Sequence, residues 1–383
     1  MESEKSIRIL VAGDFAPNGP VQDAYLFGKH KFFDQGILEV LLEKDLSLFN
    51  LEVPLTDANS PIKKVGPNLK ARPEIVELIK QAGFDVACLA NNHIWDYDEK
   101  GLRDTLDVCH QNGIATVGAG LSLQDATKAF YRNVKGMTVA IVNFSENEFS
   151  NASPVHGGAN PMDIIDNLRQ IQNARMTADI VLVIVHGGHE YYQYPSPRIV
   201  KQYRFYVENG ADAVVAHHSH CIGPYEMYKE KPIVYSLGNF FFPANTAPQS
   251  WHEGFLAQLT FRSPKPPVLR IIPYQQCHNN ENIVRSLTSD ELIDLERKIT
   301  ALCSVLNDPA KLDRKWNIFV DSEYLSCLGQ LSMIGRWRRA LLRRQPWLIK
   351  LLNKHKLRVM QNHISCEAHR DLSKAVLKKY LDI

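Results

Sequence analysis

Three apolar runs in the middle of the chain each end in residues with polar or metal-binding chemistry. Val181-Leu182-Val183-Ile184-Val185 leads into His186-Gly187-Gly188-His189-Glu190-Tyr191. Ala213-Val214-Val215-Ala216 leads into His217-His218-Ser219-His220, and Pro232-Ile233-Val234-Tyr235-Ser236-Leu237 into Gly238-Asn239-Phe240. Histidine is the commonest metal ligand, and residues i and i+2 of extended backbone point to one side. His218 and His220 are therefore expected to face one site, with His186 arriving from the preceding run. Clustered histidines also occur as ordinary hydrogen-bonded loop residues; the recurrence of the pattern at successive runs favours the metal reading. The N-terminal half repeats it with other donors. Residues 7–12 are followed by Gly13-Asp14, residues 46–49 by Asn50-Leu51-Glu52, and residues 85–89 by Asn91-Asn92-His93 and Asp96. Asp14, Glu52, Asn92, His186, His218 and His220 would together suit two divalent first-row ions (Mn, Zn or Fe), with Glu52 able to bridge them. A pair of ions activates water and stabilises attacking and leaving oxygens. His93 would protonate the leaving group, and Asp96 would orient His93.

These residues can meet only if the runs are neighbouring strands whose ends share one edge. Continuous apolar runs suit parallel strands buried on both faces, and sites in such sheets collect beyond the carboxyl ends. Between the runs, the spacing predicts helices at 31–44, 74–82 with Gly83 as stop signal, 101–112, 163–177 and 198–209. Further strands are expected at 114–120, 138–144, 251–261 and 268–274. The alternation of strands and helices through residue 242 predicts an α/β fold. Residues 61–73 and 151–161 read as loops; Lys70, Arg72 and His156 within them are expected to be surface or loop residues. Gly118-Ala119-Gly120 reads as a turn.

The 383 residues are 45% hydrophobic and 22% charged, as in globular chains, and the formal charge of +2 points to no partner. The N-terminus has no secretory pattern, and no apolar run approaches the ~20 residues of a membrane helix. Seven cysteines are scattered without a CxxC pair and read as reduced thiols. A cytoplasmic location with peripheral membrane contact is the expectation. Texture changes near residue 284, so residues 1–284 are expected to form the α/β domain and 285–383 a basic helical extension. A helix is expected from Ser289-Asp290-Glu291, with Ser or Asp as its cap. Residues 336–358 hold nine Lys or Arg and no Asp or Glu, interleaved with Trp337, Leu341, Leu342, Trp347, Leu348, Leu351 and Leu352. Pro346 is expected to split this stretch into two helices. Such a segment fits an anionic membrane surface or a synthase complex, and equally a helical face packed on the body. No nucleic-acid module accompanies it, so no specific nucleic acid is expected.

Across residues 7–245 the motifs resemble the CapA family of poly-γ-glutamate capsule synthesis. They are Gly13-Asp14, Asn50-Leu51-Glu52, Leu89-Ala90-Asn91-Asn92-His93 with Asp96-Tyr97, and His186-Gly187-Gly188-His189-Glu190-Tyr191. Gly210-Ala211-Asp212, His217-His218-Ser219-His220 and Tyr235-Ser236-Leu237-Gly238-Asn239-Phe240 follow. The resemblance implies a calcineurin-like metallophosphoesterase sandwich, two central β-sheets flanked by helices. It implies one ion on Asp14, Glu52 and His220, another on Glu52, Asn92, His186 and His218, and His93 as catalytic acid. The chain departs from the wider pattern at four places. Ala16 replaces a histidine ligand, Ala216 a glycine, Ser219 a proline and Asp98 a glycine. The leading functional expectation is a dinuclear phosphoesterase-type hydrolase acting on an anionic substrate or polymer of the capsule or cell envelope. The rival is a noncatalytic accessory subunit of a polymer synthesis or export complex.

Overall fold

The computed structural model describes residues 6–331 except 29, 30, 245, 263 and 280, together with 353–365 and a few scattered positions beyond 331. The chain divides into two compact units, Met1–Leu312 and Asp313–Ile383.

The first unit is built on two large sheets. One follows the order Val284–Ser286, Lys265–Gln276, Glu253–Arg262, Ser6–Phe15, Leu46–Leu51, Val86–Cys88, Ala115–Val117, with Asn239–Phe241 also paired to Ser6–Phe15. The other follows Tyr225–Tyr228, Lys231–Val234, Ala213–His217, Ile180–His186, Met137–Ser145, Phe130–Val134. The strands that end at the polar motifs pair in parallel within each sheet, and antiparallel strands flank them.

Strand side chains alternate between faces, and that alternation assembles the sandwich. Ile7, Ile9 and Val11 cluster with Val139, Ile141, Leu182, Ile184 and Val215 of the other sheet. Leu10 and Ala12 join the opposite cluster with Ile37, Leu41, Leu78, Ile79 and Leu102 of the covering helices. Val142, Val181, Val183 and Val214 cluster with Ile171 and Ala174 of Ile164–Thr177 and with Ile199 and Tyr203 of Pro197–Glu208. Both faces of both sheets are covered, which is why the runs read as continuously apolar. The result is the two-sheet α/β sandwich flanked by helices that the sequence predicts.

Some local expectations change. The helix at 31–44 contracts to Gln35–Leu42, because Asp34 caps it by accepting from the Ile37 N–H at 2.7 Å. The strands Phe130–Val134 and Tyr225–Tyr228 and the helix Pro20–Phe27 were not foreseen; the two strands are half-exposed edge elements with weak apolar signals. Gly83 adopts φ 69° and ends Val76–Ala82 as anticipated. Helix Ser289–Leu306 is capped by Thr288, not by Ser289 or Asp290, in a capping box with Glu291. Its Leu295, Ile299 and Leu302 join the inter-sheet core, so the change of texture near 284 marks the end of the sheets, while the compact unit continues to Leu312.

In the second unit, Lys354–Ser365 is a helix. Pro346 and most of the basic stretch at 336–358 lie outside the described residues. No helix among the described residues is long and apolar enough to cross a membrane. Cys88, Cys109, Cys221, Cys277, Cys303 and Cys327 carry free thiols.

Candidate metal centre

The two sheets bring their strand ends to one point. The His217 ring, ending Ala213–His217, lies with Nε2 3.0 Å from the Ala12 carbonyl oxygen of the other sheet. The His218 N–H donates to Asp14 Oδ2 at 3.2 Å. Gly13 makes a closer approach possible, since a Cβ there would overlap the Gly238 carbonyl oxygen. That contact lets Asn239–Phe241 pair beside Ser6–Phe15 with Asp14 opposite Asn239.

Around this junction Asp14, Glu52 and His220 form one group of candidate ligands, and Glu52, His186 and His218 another; within each, the ligand atoms lie within 4.8 Å of one another. Glu52 belongs to both. Its Oε1 is 3.6 Å from Nε2 of His186 and 3.6 Å from Nε2 of His220. The Asn92 Oδ1 is 3.0 Å from His186 Nε2, so Asn92 stands beside the second group. His93 is the next residue, and its Nδ1 is 2.6 Å from Asp96 Oδ2. All eight residues singled out from the sequence therefore lie in one neighbourhood.

The route differs from the sequence argument at one point. The sequence spacing has His218 and His220 face together as residues two apart in an extended strand. The strand ends at His217, and both residues sit in a loop at φ 91° and 55°. Ser219, where the pattern has proline, holds that loop by donating to the Cys221 carbonyl at 3.0 Å and by its 2.9 Å hydroxyl contact with Ser236. Asp98 adopts φ 59°, the left-handed conformation that explains why glycine is usual there and that Asp tolerates.

Burial and neighbouring charges shift the protonation of the groups in this cavity. Burial, and then the Asp14 charge, push the Glu52 carboxyl well above its ordinary range. Burial also disfavours the Asp14 carboxylate, but its hydrogen bond with His220 and the charges of His217 and His186 outweigh this and hold it low. Burial pulls His220 down, yet Glu52 and Asp14 overcome it and raise the ring to about 9. His186 is held well below the usual imidazole range by burial and then by His218. Glu52 Oε1 is buried with no hydrogen-bond partner among the described residues, and His218 Nδ1 likewise. An unsatisfied carboxylate oxygen facing two imidazole nitrogens is what a divalent cation would satisfy, so these residues fit a metal.

Several participants escaped the sequence reading. Asn50 donates from Nδ2 to Asp14 Oδ1 at 2.8 Å and lies 3.2 Å from His186 Nδ1. Asn239 uses its Nδ2 on the Trp251 and His220 carbonyl oxygens, which turns its Oδ1 to His220 Nδ1 at 3.0 Å. That arrangement fixes the proton on Nδ1 and leaves Nε2 towards Glu52. Both amides were visible at strand ends, but nothing local distinguished them from caps. Lys64 had no signal at all. It lies in a loop, its side chain is almost fully buried and pairs with Asp96, and its Nζ is 3.2 Å from His93 Nδ1. Burial, outweighing Asp96, lowers the His93 pKa below the ordinary imidazole value.

Trp251 and Phe242 form an aromatic wall, with ring centres 4.7 and 5.3 Å from His220. The residues set aside as loop or surface stay apart. Arg72 pairs at the exposed surface with Asp23, Lys70 donates to the Ala58 carbonyl, and His156 stacks on Trp95 at 5.3 Å. Gly118-Ala119-Gly120 contributes to a small two-stranded ribbon.

Comparison with known proteins bears on the same stretch. The chain is 36% identical over 218 residues to "Capsule biosynthesis protein CapA" of Bacillus anthracis, covering 54% of this chain and 51% of that protein. It is 38% identical over 178 residues to "PGA biosynthesis protein CapA" of Bacillus subtilis, covering 46% and 47%. The chain thus spans about half the length of these curated relatives. Among solved structures, 5'-nucleotidase from Candida albicans aligns with a TM-score of 0.41 at 12% identity, over 84% of this chain and 58% of that one. A hypothetical protein from Thermus thermophilus aligns at 0.42 and 15%, over 69% and 99%. Residues 8–244, which hold every strand end of the centre, match the family described as "Bacterial capsule synthesis protein PGA_cap", and the chain belongs to that family.

Proposed function

We propose that this chain is a dinuclear metal-dependent hydrolase of phosphoesterase type, serving the synthesis of a capsule or cell-envelope polymer related to poly-γ-glutamate. The observation that carries the reading is the buried Glu52 Oε1, without a hydrogen-bond partner among the described residues and equidistant from His186 and His220. Asp14, Glu52 and His220 would hold one ion, and Glu52, Asn92, His186 and His218 the other. Ions there would supply a water of lowered pKa and a Lewis-acidic clamp on the anionic substrate. The chain's own contribution is proton management and positioning. Asp96 holds His93 by Nδ1, leaving Nε2 to deliver a proton to the departing oxygen. Lys64 fixes Asp96, and the Trp251–Phe242 wall shields the His220 side from water.

Elemental analysis of the purified chain, run with Mn²⁺- and Zn²⁺-dependent hydrolysis of a phosphodiester and a phosphomonoester, tests this reading. About two ions per chain are expected. His93→Ala should keep the metal and lower kcat by roughly 10²–10⁴-fold. No metal after reconstitution sinks the proposal. Metal without turnover would favour the accessory-subunit reading, whose specific support is Ala16, a buried methyl where a ligand would stand. For the basic extension we propose contact with an anionic membrane surface or a synthase complex.

A further inference from the structure

At the solvent edge of the centre, beyond the residues assigned above, stands one more carboxylate, that of Glu190. We propose that Glu190 is a metal ligand, closing the centre from the solvent side as Glu52 spans it from the buried side. The inference rests on the metal reading above.

Ligand atoms of Glu190, His218 and His220 lie within 4.8 Å of one another. His218 also belongs to the Glu52–His186 group and His220 to the Asp14–Glu52 group, so Glu190 sits across both positions. The Asp14–Glu52–His220 group offers three donors and Ala16 offers none, which leaves a fourth position open to a further side chain or to water. Glu190 is placed to provide it.

Glu190 is exposed, but its backbone is held on both sides. The Tyr192 N–H donates to the His189 carbonyl at 3.0 Å, closing the turn around it. The Tyr191 N–H donates to the Ser219 carbonyl at 2.9 Å, tying the turn to the loop between His218 and His220. Tyr191 has φ 61°, and its ring stacks on Trp251 at 5.7 Å, the same Trp251 that covers His220. A solvated surface carboxylate needs none of this anchoring.

Charge points the same way. Asp14 and Glu52 have only histidines as ion-pair partners, and Glu190 has no ion pair, among the described residues. Three carboxyl groups gathered around His218 and His220 make an oxygen and nitrogen donor set suited to a divalent cation.

The test compares the full chain with Glu190→Gln and Glu190→Ala by calorimetric titration with Mn²⁺ and by the visible absorption of bound Co²⁺. Because the side chain is exposed, both variants should match the parent's metal-free circular dichroism and Tm. One of the two ions should bind at least about tenfold more weakly in both variants, the lower end of what losing even a supporting partner of a ligand costs. The Co²⁺ bands should change shape, reporting an altered ligand set. If the parent binds two ions and the variants match it in affinity and spectrum, the role of Glu190 is overturned while the metal centre stands. If the parent binds none, the metal reading fails and this inference with it.

Discussion

Lys64 shows how much one loop residue governs. Its ammonium and the Asp96 carboxylate are both buried, so each balances a charge the interior would otherwise reject. Lys64→Met removes the ammonium that balances Asp96, leaving it to His93 and the Leu69 N–H, and should cost about 3–5 kcal/mol in urea unfolding. Combining it with Asp96→Asn should recover part of that loss, since the double variant buries no lone charge; a purely additive result would show that the pair is not coupled. His93 and Asp96 were legible from sequence because they are three residues apart within one strand-end motif. Lys64 was not, because a lysine among loop residues normally stays in water, and only the path of the chain carries it under Asp96.

At the scale of elements, the centre depends on two sheets approaching at their carboxyl ends. The pairing of Asn239–Phe241 with Ser6–Phe15 needs a bare backbone at Gly13 against the Gly238 carbonyl. Gly13→Ala should therefore lower stability by about 1–3 kcal/mol, as overpacking does. It should also weaken metal binding through displaced Asn239, an effect that a calorimetric titration separates from unfolding. Tyr191, His218 and His220 all adopt positive φ within the turns and loops that form the centre. Non-glycine residues hold that conformation only where the surroundings enforce it, and such residues cluster at functional sites.

For the molecule as a whole, the compact unit ends at Leu312 and takes in helix Ser289–Leu306, whose Leu295, Ile299 and Leu302 complete the inter-sheet core. A chain ending at Leu312 should keep its thermal transition and metal content, whereas one ending at residue 284 should not fold cooperatively, because losing those three side chains would leave the core open. The Leu312 truncation should also lose binding to anionic vesicles in a sedimentation assay if the basic extension contacts membrane. Unchanged vesicle binding would remove that proposal without touching the metal centre.

The sequence by itself determined the α/β class, the positions of the buried strands and the polar residue at the end of each. Those features are local: apolar continuity reports burial on both faces, and the residue after a strand reports what its end presents. It also marked His186, His218 and His220 as a set, although its reason, an extended His-Xaa-His, was not the one the chain uses. Only the tertiary structure decided which residues meet. Asp14 receives a hydrogen bond from His218, far along the chain, because two sheets cross with their ends aligned, a distance set by register and packing that no short window encodes. Asn239, Lys64, Trp251 and Glu190 acquire their roles from that convergence alone, since their chemistry is ordinary until the fold sets it against a buried carboxylate or imidazole.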